Sequence, residues 1–542
     1  MAQQEPHVEE TVTYETVITT TEVVGSDIVK TEEYQTQAKT EISTKEKLEA
    51  DEAFTEGSSV DSQTDSKIIM NEAIRDEYDA TGHHDYIQSA DEKALVRRLD
   101  YFLVMPCICV LNFLQYFDKS ALSYAAVLGI KKDANISADQ FAWLGSIFYL
   151  GYLVYQGPNA YLLQRVPIGR YLGVIIILWG FVLAMTEMGE NFSQLAALRF
   201  LLGFFEAGVY SSCLMIISTL YRRREQTARI GLIYICNGVA MAVGGLIGYG
   251  IGHMDGQGGK SGWRWIMIIL GSVTVAFGFF CFFFLIDNPK SKLICRDEKT
   301  RAILAERTLD NAVVRNKTIK VAHMIEAVKE LRFWCFVFAA LLINMQNGAL
   351  STYSSLITNS LGFSSLDAIL LTIPNGVVDV IYILIAIFVN QRYGHTLPLA
   401  CVLMAWSTIG LILLITIPVA KVKLLGLYST WSYASAFVLL LTSLANNVAG
   451  YTKKVFYSSV LLVFYTIGNF LGPISLLNQT APYVPGMVVF ICANVASIVL
   501  LLIAHFSMAR ENRRRLESKS DVKVNVNDDL TDKENPNIIY RI

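Results

Sequence analysis

From residue 100 onward the chain is a succession of apolar runs, each about 20 residues long and so able to cross a ~30 Å hydrocarbon layer at about 1.5 Å per residue. They fall near 101–128, 138–162, 171–188, 193–221, 229–252 and 265–286, then near 333–357, 366–390, 396–418, 424–448, 455–478 and 485–508. The gap between the two sets, 287–332, is strongly charged and holds a helix-like segment, RDEKTRAILAERTLD. Six runs, a charged loop and six more predict an all-α polytopic membrane protein of twelve transmembrane helices in two six-helix halves. The domain boundaries that follow are a cytosolic N-terminal tail over 1–98, bundles over 99–287 and 333–508, a central cytosolic loop over 288–332, and a C-terminal tail over 509–542.

Composition excludes the alternatives. Of 542 residues, 53% are hydrophobic and only 17% charged, far too few charges to cover a soluble protein of this size. The net charge of −3 predicts no nucleic-acid partner. Residues 1–95 hold 23 acidic and 7 basic side chains and include the low-complexity stretch TVTYETVITTTEVV. Such a segment buries too little apolar surface to offset its ordering entropy, which predicts a tail without fixed structure and no cleavable signal. The nine cysteines (Cys107, Cys109, Cys213, Cys236, Cys281, Cys295, Cys335, Cys401 and Cys492) lie mostly inside apolar runs, in no spacing that makes a disulfide framework or a metal site. No catalytic set of the HExxH or Ser/His/Asp kind is present, so the chain reads as a carrier and not an enzyme.

Lysine and arginine set the direction. The links after even-numbered runs hold Arg165 and Arg170, then Arg222, Arg223, Arg224 and Arg229, then the basic central loop, Arg392, the Lys453–Lys454 pair and the arginines of 510–515. Links after odd-numbered runs are poorer in both, which predicts that both termini lie in the cytosol.

A set of short segments, taken in order, resembles one family. They are FLQYFDKSALSYA (113–125), WLGSIFYLGYLV (143–154), LLQRVPIGRYLG (162–173) and LRFLLGFFEAG (198–208), then GWRW (262–265), DNPKSKLI (287–294), GALSTY (348–353), NNVAGYTKK (446–454), GNFLGP (468–473) and the tail DLTDKENPNIIY (529–540). Together they are similar to the fungal anion:cation symporters of the major facilitator superfamily, close to the allantoate permease subgroup. The resemblance implies import of a small organic anion such as allantoate, ureidosuccinate, a nicotinate-like carboxylate, a dipeptide or cysteine. It further implies that a proton gradient supplies the driving force, with no cofactor. The partners are then the anion, the proton and membrane lipids, with a monomer as the working unit. Plasma membrane is expected, and nothing in the sequence excludes a vacuolar or reticulum membrane. A non-transporting nutrient sensor of the same fold is the rival reading.

Ionisable side chains at membrane depth are the functional candidates. Asp118 and Lys119 interrupt the first run; one faces a central cavity, with Lys119 as the cation for the anion, or the two lie at the outer interface or pair with each other, which is awkward because adjacent residues point about 100° apart. Arg199 and Glu206, seven residues apart, share one helix face. Arg199 is a second candidate anion contact, and Glu206 a carboxyl that could take up and release the coupling proton; a structural ion pair to another helix is the alternative. Asp118 and Asp379 are further candidates for that relay; Asp379 ranks behind Glu206 and could instead cap an interhelical hydrogen bond. Asn344, Asn347 and Asn469 are amides that need partners in a membrane and could line the substrate cavity. Arg165 and Arg170 occupy the loop where the superfamily places a gate, although the usual Asp is missing, and anchoring to the cytosolic interface explains them equally well.

Overall fold

The computed structural model describes residues 90–286, 320–479, 483–517, 530–535 and 538–542, four short strands within 11–41, and positions 300, 303, 304 and 307. Most of the helix-like 296–310 segment therefore lies outside the described residues. The chain divides into two units, residues 1–87 and 88–542. In the first are β1 (Thr11–Thr16), β2 (Thr21–Val24), β3 (Asp27–Thr31) and β4 (Thr36–Glu41), with β1 antiparallel to β4 and β2 antiparallel to β3. These four strands lie within the expected tail, most of which falls outside the described residues. The Thr, Val and Tyr residues that make the stretch low in complexity are also those that favour extended backbone.

Among the described residues the second unit holds twelve long helices: α1 Met105–Val127, α2 Ala138–Arg165, α3 Ile168–Met185, α4 Phe192–Leu220, α5 Arg223–Gly252, α6 Gly262–Phe284, α7 Leu331–Ser360, α8 Ser365–Tyr393, α9 Thr396–Thr416, α10 Lys421–Asn447, α11 Tyr451–Ile474 and α12 Val484–Glu517. Ten of these are both long and apolar enough to cross a membrane; α1 and α2 have the length but carry more polar residues. Local chemistry starts several of them. Ser137 and Gln140 form a reciprocal capping box at α2, and Asn191 caps α4 by accepting the Gln194 N–H. Helix α12 runs well past the expected end at 508, because Arg513–Glu517 and Arg515–Glu511 pairs one turn apart support a solvated extension.

The two halves repeat one packing plan. α1 packs on α5 as α7 packs on α11, α2 on α4 as α8 on α10, and α3 on α6 as α9 on α12. The halves meet along α1–α7, α2–α11 and α5–α8. At the α5–α8 crossing the backbones nearly touch: a Cβ on Gly238 would lie 2.6 Å from Val380 Cγ2 and 2.8 Å from the Gly376 carbonyl oxygen. Only a residue without a side chain permits that approach.

Contacts between the halves cluster toward the face opposite the termini. There Ser355 N–H donates to Ser123 Oγ at 3.0 Å, Ser146 Oγ to the Phe470 carbonyl at 2.7 Å, and Asn478 N–H to Asp139 Oδ1 at 2.7 Å. Tyr124 and Thr372 hydroxyls lie 3.3 Å apart, and the Phe141 and Tyr353 rings meet edge-on.

On the terminal face the expected boundary at 98 gives way to a lead-in helix, Ala90–Arg98. Its sequence is polar enough to read as tail, but Glu92 is buried and accepts from Arg222 Nε at 3.0 Å and Arg307 Nη1 at 2.6 Å. Arg307 also pairs with Glu225, whose Oε2 caps α5 through the Arg222 N–H. Beside this cluster Arg229 grips Asp100 with two donors, at 2.5 and 3.1 Å.

Candidate functional site

Asp118 and Lys119 diverge, as adjacent residues on a helix must. Asp118 turns into the N-terminal half, fully buried, and its Oδ2 accepts the indole N–H of Trp179 on α3 at 2.8 Å. Lys119 turns the other way, and its Nζ lies 3.0 Å from Glu206 Oε1 on α4. The two neighbours therefore serve different helices and do not pair with each other.

Arg199 and Glu206 share a face of α4, as their spacing requires, but they are not each other's direct partners. Glu206 belongs to Lys119, while Arg199 lies close enough to Asp118 and Glu206 to act on both electrostatically. Two cations and two carboxylates thus form a balanced buried group. Its hydrogen-bonding capacity is not filled: among the described residues, Asp118 Oδ1, Arg199 Nη2 and both Glu206 oxygens have no aligned hydrogen-bond partner. The Lys119 ammonium sits at ion-pair distance from Glu206, and the Gln115 amide is also within reach of that carboxylate. Accessibility separates the two cations. The Lys119 side chain is 18% exposed and Glu206 fully enclosed, while Arg199 is 4% exposed, so Lys119 is the cation a solute meets first.

Tyrosines surround that ammonium. Tyr149 and Tyr152 on α2 and Tyr465 on α11 all lie near enough to act on Lys119. Because α11 belongs to the other half, Lys119 looks across the space between the halves. Sequence reasoning passed over these rings. The signal was present in Tyr149 and Tyr152, three residues apart on one helix face. Tyr465 carried none, since only the fold brings α11 opposite α1.

The amides divide. Asn344 donates through Nδ2 to the Ala340 carbonyl of its own helix at 2.7 Å, which engages one of its two N–H groups. Gln346 turns into the C-terminal half and joins Ser407, Thr430 and Asn494. Asn347 and Asn469 come together: Asn347 Nδ2 donates to Asn469 Oδ1 at 2.8 Å, and the Tyr433 hydroxyl donates to Asn347 Oδ1 at 2.7 Å. Asp379 on α8 is buried with Oδ1 unpartnered, beside the α5–α8 crossing and within electrostatic reach of Tyr116 and Tyr433, and no ion pair to the Lys119 group is seen among the described residues. Arg165 is exposed and stacks over Tyr161 of its own helix at 4.9 Å; Arg170 is exposed, and neither has an ion-pair partner among the described residues. Nothing in that arrangement links either arginine to the opposite half.

A buried cation–carboxylate group set between two pseudo-equivalent bundles is the layout of a carrier. Comparison with known proteins agrees. The profile of the Major Facilitator Superfamily matches residues 108–473. An uncharacterised transporter of Schizosaccharomyces pombe is 32% identical over 83% of this chain and 86% of its own length. The allantoate permease of Saccharomyces cerevisiae is 30% identical over 83% of this chain and 87% of its own. Among solved structures, the inward-open xylose transporter of E. coli superposes with a TM-score of 0.59 at 12% identity, covering 73% of this chain and 94% of that one, a likeness of fold alone. The chain is an integral membrane transporter and belongs to the Major Facilitator Superfamily, among fungal relatives that include allantoate permease.

Proposed function

We propose that the protein imports a small organic anion together with a proton, by alternating access across the plasma membrane with both termini in the cytosol. The observation that carries this reading is the 3.0 Å ion pair between Lys119 and Glu206. The most accessible cation of the site is already neutralised by the least accessible carboxylate. An anion gains little by approaching Lys119 while Glu206 is ionised, because it must displace a partner that then stays buried and uncompensated. Protonating Glu206 removes that competitor and frees the ammonium. Anion binding and proton binding are then coupled through one side-chain pair, and the loaded site carries no more net charge than the empty one. Arg199 and Asp118 set the field around the pair, with Asp118 held by Trp179. Asn347 and Asn469 face the anion from the other half, and Asp379 is a secondary proton acceptor. With the termini in the cytosol, the seal at the opposite face makes the present arrangement inward-facing.

Two supports stand beside the geometry. A relative that is 30% identical is named an allantoate permease, and allantoate is a carboxylate. The second is the trio Tyr149, Tyr152 and Tyr465 within electrostatic reach of Lys119, polar groups that add no charge beside it.

The test is Glu206→Gln, assayed in vesicles with a panel of labelled carboxylates. The neutral amide mimics the protonated carboxyl, so binding and counterflow exchange persist while accumulation against a gradient falls by at least about tenfold. Undiminished concentrative uptake by the variant, with the wild-type response to external pH, would falsify the assignment.

A further inference from the structure

Residues 530–535 and 538–542 are folded onto the terminal face of the C-terminal half. Asp532 is fully buried; it accepts from Arg332 Nη2 at 2.8 Å, Lys453 Nζ at 2.7 Å and the Tyr540 hydroxyl at 2.7 Å. Asn512 on α12 pairs with both the N–H and the carbonyl of Tyr540, each at 2.8 Å, as a neighbouring strand would. Asn447 at the end of α10 does the same for Arg541, at 2.7 and 2.9 Å. The Tyr540 ring lies between the guanidiniums of Arg332 and Arg515, 4.7 and 4.8 Å from its centre. The segment is a strap that ties α7, α10, α11 and α12 together.

Thr531 sits at the tightest point of the strap. It is fully buried, and its hydroxyl donates to Glu326 Oε2 at 3.0 Å. It also accepts the Glu534 N–H at 3.2 Å while Glu534 Oε2 accepts the Thr531 N–H at 2.8 Å, a capping box at the chain's last turn. Immediately beyond, the Glu326, Glu330 and Asp532 carboxylates close on Lys453 Nζ at 2.6, 2.5 and 2.7 Å. The place a metal ion could take among those three acids is filled by the ammonium. Arg332 supplies the second buried cation; Lys533 is half exposed and comes no nearer than 3.7 Å to Glu330. Three carboxylates against two buried cations leave no positive charge to spare. Burial opposes ionisation of Asp532, but Arg332 and then Lys453 outweigh it and bring its carboxyl down to about 2. Its contribution to docking is thus complete above the ordinary carboxylate range and is lost only as the pH falls through that value.

The strap's sequence at this point is Thr531-Asp532-Lys533-Glu534, a hydroxyl followed by carboxylates one and three residues later. When undocked, that pattern presents two anions to a basic substrate groove. When docked, Asp532 is consumed by Arg332 and Lys453, and the hydroxyl is enclosed. We propose that Thr531 is a phosphorylation site of the released strap, served by an acidic-directed serine/threonine kinase, and that a phosphate there prevents the strap from docking again. The step transfers the γ-phosphoryl group of a nucleoside triphosphate to Thr531 Oγ1. The phosphorus–oxygen bond to the nucleoside diphosphate breaks, the new bond to Oγ1 forms, and the hydroxyl proton leaves. The phosphate brings a charge of about −1.5 to −2 against the Glu326 carboxylate, which already shares the Lys453 ammonium with Glu330 and Asp532. Docking and kinase recognition thus compete for the same carboxylate of Asp532, and modification makes the released state persist.

The experiment uses the full chain in membrane vesicles, an acidic-directed kinase, γ-labelled ATP and mapping of the labelled peptide. Wild-type protein is labelled slowly at Thr531. Asn512→Ala removes two strap hydrogen bonds and leaves Asp532 and Glu534 intact for the kinase; it is labelled about tenfold faster, as expected if docking is weakened by one decade in equilibrium. Asn447→Ala is the independent second variant and behaves likewise. Phosphorylated protein loses its last dozen residues to protease faster than unmodified protein, and Thr531→Val is neither labelled there nor made sensitive. Equal labelling rates in wild type and both variants, no label on Thr531 in any of them, or a phosphorylated strap as protected as before would each overturn the proposal.

Discussion

The terminal faces of the two halves solve one problem in two ways. Each half begins with a short lead-in helix, Ala90–Arg98 before α1 and Val321–Val328 before α7. In each, acids from the lead-in segment meet a base at the start of the fifth helix: Glu92 with Arg222 in the first half, Glu326 and Glu330 with Lys453 in the second. The remaining partner differs. In the first half it is Arg307, a cation from the central loop, chained at both ends to transmembrane bundles. In the second it is Asp532, an anion from the chain's end. Arg307 lies in sequence between the two bundles, whereas Asp532 follows the last long helix and, on the proposal above, belongs to a strap that can be released. On that reading one cluster is the fixed fastening and the other the detachable one.

That contrast can be broken by removing the central cation on each side. Arg307→Ala removes the guanidinium that Glu92 and Glu225 share, and breaking a buried ion pair from one side costs about 3–5 kcal/mol. The expected outcome is a large drop in the thermal unfolding midpoint of the purified protein and poor recovery as a monodisperse particle. Lys453→Ala leaves three acids in place of two, yet its cost is expected to be smaller, about 2–3 kcal/mol, because Asp532 can leave with the strap and take one charge away. Deleting residues 530–542 in the Lys453→Ala background then changes the midpoint little, although the same deletion lowers it in the wild type. Additive effects would show that the strap stays seated and that the two clusters are alike. The smallest effect is expected at Asp100→Asn, where Arg229 and Asp100 are 18% and 24% exposed and water already screens the pair. There the midpoint should shift by no more than about 1 kcal/mol implies; a loss as large as that of Arg307→Ala would make Asp100 part of the buried cluster.

The sequence exposes the fold readily because a bilayer demands long apolar helices, and twelve runs with a central break admit few other readings. It also exposes the candidate charges, because Asp118, Lys119, Arg199 and Glu206 stand out against apolar neighbours. Which of them would meet was not legible. Within one helix, spacing reports a shared face, and so Arg199 and Glu206 looked like a pair. The actual pairing of Glu206 with Lys119 depends on how α4 leans on α1, which no periodicity encodes. The same reason hides Trp179 from Asp118 and Tyr465 from Lys119. The lead-in helix and the strap were hidden by composition. Both are too polar to announce a core, and their burial rests on specific ion pairs with residues more than a hundred positions away in one case and about eighty to two hundred in the other.

The glycine crossing of α5 and α8 has a mechanical consequence. Gly238 lies midway along the thirty-residue helix α5, so each end is about 21–22 Å from it at about 1.5 Å per residue. On the sealed side of that point Gly245 and Gly252 still touch α8, through Thr372, Ile369 and Leu366. On the terminal side the next glycine, Gly231, has nothing within 4 Å of where a side chain would begin. The crossing thus separates a closed arm from an open one of equal length. For a carrier that rocks, such a point is the fulcrum of a balanced lever: whatever width the molecule gives up at one mouth, it gains in equal measure at the other.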